Sequence, residues 1–170
     1  MTVFSRFAAS VALALLVISG SAHAQGASVA FGGLKHDASL PVEITADELT
    51  VDQATGSAVF IGNVVAGQGE MRLSAGHVQV QYATENGQAT GRIDKLLATG
   101  SVTLVNGAEA AESDKAIYSV GGSEIVMTGN VILTQGINAL SGEKLTVDLT
   151  SGSGRMEGRV RTIFQTGGNK

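Results

Sequence analysis

From Val42 onward the chain alternates apolar and polar residues in short runs that close on Gly, Asn or Asp. That period of two is the signature of half-buried β-strands. In VEITADELTVD, Val42 and Ile44 share one face, and Leu49 and Val51 resume the alternation after a break. Beyond an N-terminal apolar run, no window carries an apolar stripe at helical spacing. Structure is expected to begin near Leu40-Pro41, because proline is accepted at the first residue of a strand but not inside a central one.

The alternation also repeats. FIGNVVAGQG, ATGSVTLVNG and TGNVILTQG align on Gly62, Gly100 and Gly129, which places Val64, Val102 and Val131 in one column and Gly69, Gly107 and Gly136 in another. Further along come Ala75, Ser113 and Gly142, then Val78, Ala116 and Leu145, then Val80, Tyr118 and Val147. Each unit therefore predicts strand, turn, strand, corner, strand. Partial copies flank the full ones: Ala46 to Asp52 repeats the closing half of Gly142 to Asp148, and Met156 to Val160 restarts an opening half. The step from Gly62 to Gly100 is nine residues longer than the others, and the surplus falls in YATENGQATGRID, Tyr82 to Asp94, which reads as a lengthened loop.

A unit this small cannot bury its apolar face alone, so successive units stack and share one core. The expected body is elongated, all-β and two-ended, with edge strands whose N–H and C=O groups are either blunted or used as an interface. Neither end is blunted by charge: Val42 to Thr45 holds one, and Thr162 to Thr166 none.

Composition sharpens this. Aromatics are 4% and Gly reaches 23 of 170 residues, so the core must be aliphatic and many short strands are favoured over long helices. Residues 1–24 read as a cleaved secretory signal, with Arg6, an apolar run from Phe7 to Ile18 and the ending Ala22-His23-Ala24. The run is shorter than the roughly 20 residues that span a bilayer, which disfavours a retained anchor. Residues 25–39 then form a flexible leader, 40–166 the β body, and 167–170 a disordered tail. Removal of Arg6 leaves ten basic residues against 15 acidic ones, a balance unsuited to nucleic acid. An exported chain without cysteine must be held by burial and strand pairing alone.

Polar chemistry is sparse. His36 and His77 stand apart, and no cluster of ligands predicts a metal or cofactor. Asp47, Asp114 and Glu143 recur at one corner of the repeat as solvated charges, not as catalytic carboxylates. Arg155, Arg159, Arg161 and Lys170 are the one basic concentration, readable as an outward row or as a contact for an anionic partner. No catalytic residues are expected. The aliphatic interior, with Met71, Met127 and Met156, is either a plain packed core or a sheet-lined groove for flexible apolar matter.

The G-N-V phrases, the opening PVEITADEL and the exported length together resemble the OstA-like family of periplasmic lipopolysaccharide-transport proteins. The likeness runs from Leu40 to about Phe164. It implies a twisted β-jellyroll of stacked antiparallel strands, open at both ends, that shelters the acyl chains of lipid A. It also implies edge-to-edge bridging between an inner-membrane LptC-like component and an outer-membrane LptD-like translocon, with head-to-tail self-association and no enzymatic activity.

On that basis the lipid-contacting wall is assigned to Val42, Ile44, Leu49, Val51, Val64, Leu73, Val78, Val80, Val102, Leu104, Tyr118, Met127, Val131, Leu133, Leu145 and Val147. The docking edges fall at Pro41, Val42 and Ile44 upstream and at Val160, Ile163 and Phe164 downstream. Two other readings stay open: an anchored LptC-like sister component, and a β-solenoid enzyme acting on polysaccharide.

Overall fold

The computed structural model describes residues 27–30, 35–52 and 56–163, the first group by its backbone alone. Every regular element among them is a strand: β1 (Ala27–Ala30), β2 (Glu43–Thr45), β3 (Glu48–Asp52), β4 (Ser57–Gln68), β5 (Met71–Glu85), β6 (Gln88–Asn106), β7 (Glu109–Ser119), β8 (Glu124–Gln135), β9 (Asn138–Asp148), β10 (Ser153–Glu157) and β11 (Arg161–Ile163). They make one 11-stranded sheet, an antiparallel meander from β4 to β10. At one end β2 and β3 both lie on β4; at the other, β11 lies on β9 and β1 on β10.

The long strands are bent. The register jumps between Ile61 and Val64, between Thr99 and Val102, and between Thr128 and Val131. Each jump falls on a repeated glycine and its successor, Gly62-Asn63, Gly100-Ser101 or Gly129-Asn130, all at positive φ. Two left-handed residues in succession form a bulge that turns the strand, and glycine takes the first without steric cost. The side-chain amides of Asn63 and Asn130 donate to the carboxylates of Asp47 and Asp114 at 2.8 and 2.9 Å. The recurrent carboxylates therefore brace the bend. A methyl group at Gly62 or Gly129 would fall on the Asp47 or Asp114 side chain, while at Gly100 the positive φ alone favours glycine.

Bending along one line divides the sheet into two walls. The first holds β3, β10, β1 and the halves of the long strands next to them; the second holds β2, β11 and the remaining halves. Directly paired residues share a face, so the register traces rows across each wall. On the first wall one row runs from Leu49 through Phe60, Val78, Ala98, Ala116, Met127 and Leu145 to Met156 and Ala27. The row beside it starts at Val51 and ends at Gly154 and Val29. On the second wall a row runs from Ile44 through Ala66, Leu73, Leu104, Ala111 and Leu133 to Leu140. No helix covers these rows among the described residues, yet Val78, Leu104, Met127, Leu133 and Leu145 are all 0% exposed. The walls therefore cover each other, forming the expected two-ended body.

Two expectations are corrected. Residues 82–94 are not a loop: β5 and β6 continue through them, paired at Tyr82 with Ile93 and at Glu85 with Gln88, around an Asn86-Gly87 turn with both residues at positive φ. That is the hairpin turn whose twist matches its strands, and its polar faces follow from projecting beyond the wall. The leader of residues 25–39 is not without structure either, since β1 pairs with β10 from Ala27–Met156 to Ala30–Ser153. The signal at residues 1–24 and the tail at 167–170 lie outside the described residues.

Candidate functional site

The candidate site is the space between the walls. The sequence places Val64, Leu73, Val78, Val80, Val102, Leu104, Tyr118, Met127, Val131, Leu133, Leu145 and Val147 on it, and the structure brings all twelve into one buried cluster. Val42 and Ile44 pack against this cluster half-buried. Leu49 and Val51 differ: they lie on the same inner rows but are 53% and 59% exposed. The reason is position, because β3 ends the first wall and has no further strand on its outer edge among the described residues.

Of the docking residues, Val160 packs on the core, Ile163 is 53% exposed on β11, and Phe164 lies outside the described residues. Pro41 lines an upstream cleft of about 460 Å³ with Leu40, Glu43, Thr45 and Arg72.

The rim of the site was not foreseen. Opposite the bends, the inner face of the second wall ends in amides at equivalent places, Gln68, Asn106 and Gln135, where the alternation asks for an apolar residue. Gln68 is the most informative. Its Oε1 accepts a hydrogen bond from the Tyr118 hydroxyl at 2.7 Å, joining the second wall to the first within the buried interior. Its Nε2 donates to the carbonyls of Ala38 and Leu40 at 2.9 and 2.7 Å. Burial pushes the Tyr118 phenol up to about 12, with the Gln68 bond pulling in the other direction, so the hydroxyl stays a donor at any ordinary pH.

Residues 36–40 complete a strap across this rim. The His36 N–H donates to the Leu149 carbonyl at 3.0 Å, at the tip of β9 on the first wall, and Leu40 reaches Gly69 at the tip of β4 on the second. The His36 Nε2 is buried without a partner among the described residues. The signal for the strap's anchor was present in sequence as G-Q-G, an amide in an apolar column.

The space between the walls is apolar and filled by their own side chains. Among the described residues no set of three metal-ligating side chains converges. The two ends differ in charge: the β2–β3 end is acidic, while at the β10–β11 end arginines stand among Glu143, Asp148 and Glu157. Exposed Glu43, Asp47, Glu48 and Asp52 surround β2 and β3, whereas exposed Arg155, Arg159 and Arg161 surround β10 and β11. Glu157 at the basic end is held by Lys144 at 3.7 Å.

Comparison with known proteins places these features. Residues 43–153 match the family described as LptA/(LptD N-terminal domain) LPS transport protein. An uncharacterised protein of Rhizobium meliloti is 31% identical over 166 residues, covering 92% of this chain and 89% of its own. The lipopolysaccharide export system protein LptA of Haemophilus influenzae is 27% identical over 141 residues, covering 77% of this chain and 80% of its own. Among solved structures, LptH of Pseudomonas aeruginosa, the LptA-homologous periplasmic component of the lipopolysaccharide transport device, superposes with a TM-score of 0.66 at 20% identity. That superposition covers 76% of this chain and 98% of LptH, and establishes the shared fold.

Proposed function

The chain belongs to the LptA/LptD N-terminal domain family of lipopolysaccharide transport proteins, and from that premise we propose that it is a periplasmic carrier that takes the acyl chains of lipopolysaccharide between its two walls. The observation that supports this most is the continuity of the inner rows. The row from Leu49 to Met156 is apolar throughout, with Phe60 its one aromatic ring and no charged residue in it. A single twelve-carbon chain gains roughly 10 kcal/mol on leaving water, at about 0.8 kcal/mol per CH₂. In the unloaded protein the walls fill each other's space, so lipid must part them. The net affinity is that gain less the contacts between walls that are lost. The hydrated sugar and phosphate portion would stay outside, along the amide rim.

The ends support the bridging role. The half-repeat Ala46 to Asp52 and the half-repeat Met156 to Val160 are complementary parts of one unit, and the acidic end faces Arg155, Arg159 and Arg161 when copies join head to tail. Main-chain pairing at such an edge gives affinity and alternating side chains give register. The same edges suit an LptC-like component upstream and an LptD-like translocon downstream.

The test is competition for a fluorescent acyl-chain probe bound to the chain beginning at Gln25. Lipopolysaccharide and lipid A should displace the probe saturably, and the deacylated core glycan should not. Displacement by the glycan alone would place recognition on the sugar and overturn the acyl-groove reading.

A further inference from the structure

We infer that β1 is an internal stand-in for β3 of a second copy, so that the chain's own leader closes the downstream edge of the first wall and head-to-tail growth proceeds by strand exchange. This rests on the head-to-tail reading above.

The register carries it. Within the chain, β8 and β9 pair Met127 with Leu145, Val126 with Thr146 and Ile125 with Val147. The repeat maps β8 onto β10 and the end of β9 onto β3. Continuing the pattern therefore sets Leu49, Thr50 and Val51 of a second copy against Met156, Arg155 and Gly154. Those three slots are already taken by Ala27, Ser28 and Val29 of the leader, in the same antiparallel sense. ASVA thus occupies the place that LTVD would take, with a smaller residue at one of the two inner-row positions, Ala27 where Leu49 would stand, and valine at the other. A second copy brings Leu49 and Val51, which are 53% and 59% exposed until they are covered.

The second wall offers the starting point. β11 pairs with β9 and has no strand on its other edge among the described residues. The same continuation sets Thr45 and Ile44 of a second copy against Arg161 and Thr162. Pairing of β2 there would hold the incoming copy while its β3 replaces β1. Intramolecular tethering gives β1 a high effective concentration, so the leader wins in dilute solution and loses as copies accumulate. If β1 occupies the edge nine-tenths of the time or more, apparent affinity between copies is lowered about tenfold or more.

The chain has no cysteine, so an introduced pair forms one defined disulfide. Ser28 and Arg155 are Cα partners in the register, and cross-strand partners lie within the reach of a disulfide. In the chain beginning at Gln25, Ser28→Cys with Arg155→Cys should self-associate when reduced. It should lose at least tenfold in association constant when oxidised, as read by sedimentation velocity across concentration. Ser28→Pro with Val29→Pro should do the reverse, tightening association about tenfold or more, because one of two adjacent prolines must remove a ladder donor.

Association that ignores a fully formed lock would overturn the stand-in while leaving head-to-tail joining intact. Failure of every form to associate, prolines included, would overturn both.

Discussion

Leu133→Ala is expected to cost the fold about 2–5 kcal/mol, the range for leucine truncated in a tight core. Leu133 is 0% exposed and paired across strands with Ala111 and Leu140, in the middle of the second wall. Removing its side chain leaves a void facing the first wall, which cannot collapse without disturbing rows locked by main-chain pairing. For a body of this size each kcal/mol moves Tm by about 3–5 °C, so thermal melting should fall by on the order of 10 °C. Leu49→Ala makes the same chemical change at the open end of a row, where the side chain is already 53% exposed. It should move stability by no more than about 0.5 kcal/mol. Equal shifts at the two sites would contradict mutual covering of the walls, because only that covering separates them.

Leu49→Asp combined with Val51→Asp should weaken self-association by about a hundredfold while leaving circular dichroism and melting unchanged. In the isolated chain both carboxylates would be solvated. In the head-to-tail register they would sit on the inner rows against Met156 and Gly154, where an unpaired charge costs several kcal/mol and each 1.4 kcal/mol is tenfold in affinity. Sedimentation equilibrium of the variant beside the unmodified chain reads the effect directly. An unchanged association constant would mean that the β3 end is not the upstream interface. Association of the unmodified chain should also weaken as salt rises, since the exposed carboxylates around β2 and β3 would meet the exposed Arg155 and Arg161.

The walls were readable in the sequence because repetition and alternation are local. Gly62, Gly100 and Gly129 announce the bends, and a period of two assigns the inner rows without knowing how far apart the strands lie. The ends were less readable for a physical reason. Leu49 and Val51 follow the same alternation as Leu145 and Val147, and nothing in the residues themselves says that no strand lies beyond them. The hairpin at residues 82–94 was hidden by its polarity, since only the pair Tyr82 and Ile93 packs on the core and the strands beyond it have no apolar face to show.

The leader was hidden more deeply. ASVA is too short and too small to carry a pattern, and its partner β10 lies over a hundred residues away in sequence. Only the register reveals that it fills a slot belonging to the repeat. Gln68 is an intermediate case. The amide column of Gln68, Asn106 and Gln135 is visible beside the glycines, but its meaning depends on Tyr118 arriving from the opposite wall.

The central claim, that acyl chains travel between the walls, is tested most directly by photocrosslinking from single positions to lipopolysaccharide during loading. A photoreactive residue at Val78 or Leu145, on the inner rows, should label lipopolysaccharide strongly. One at Gln79 or Glu43, on the outer face, should label it weakly. Equal labelling from Val78 and Gln79 would contradict the claim, since adjacent residues of one strand point to opposite faces and lipid held between the walls touches only one of them.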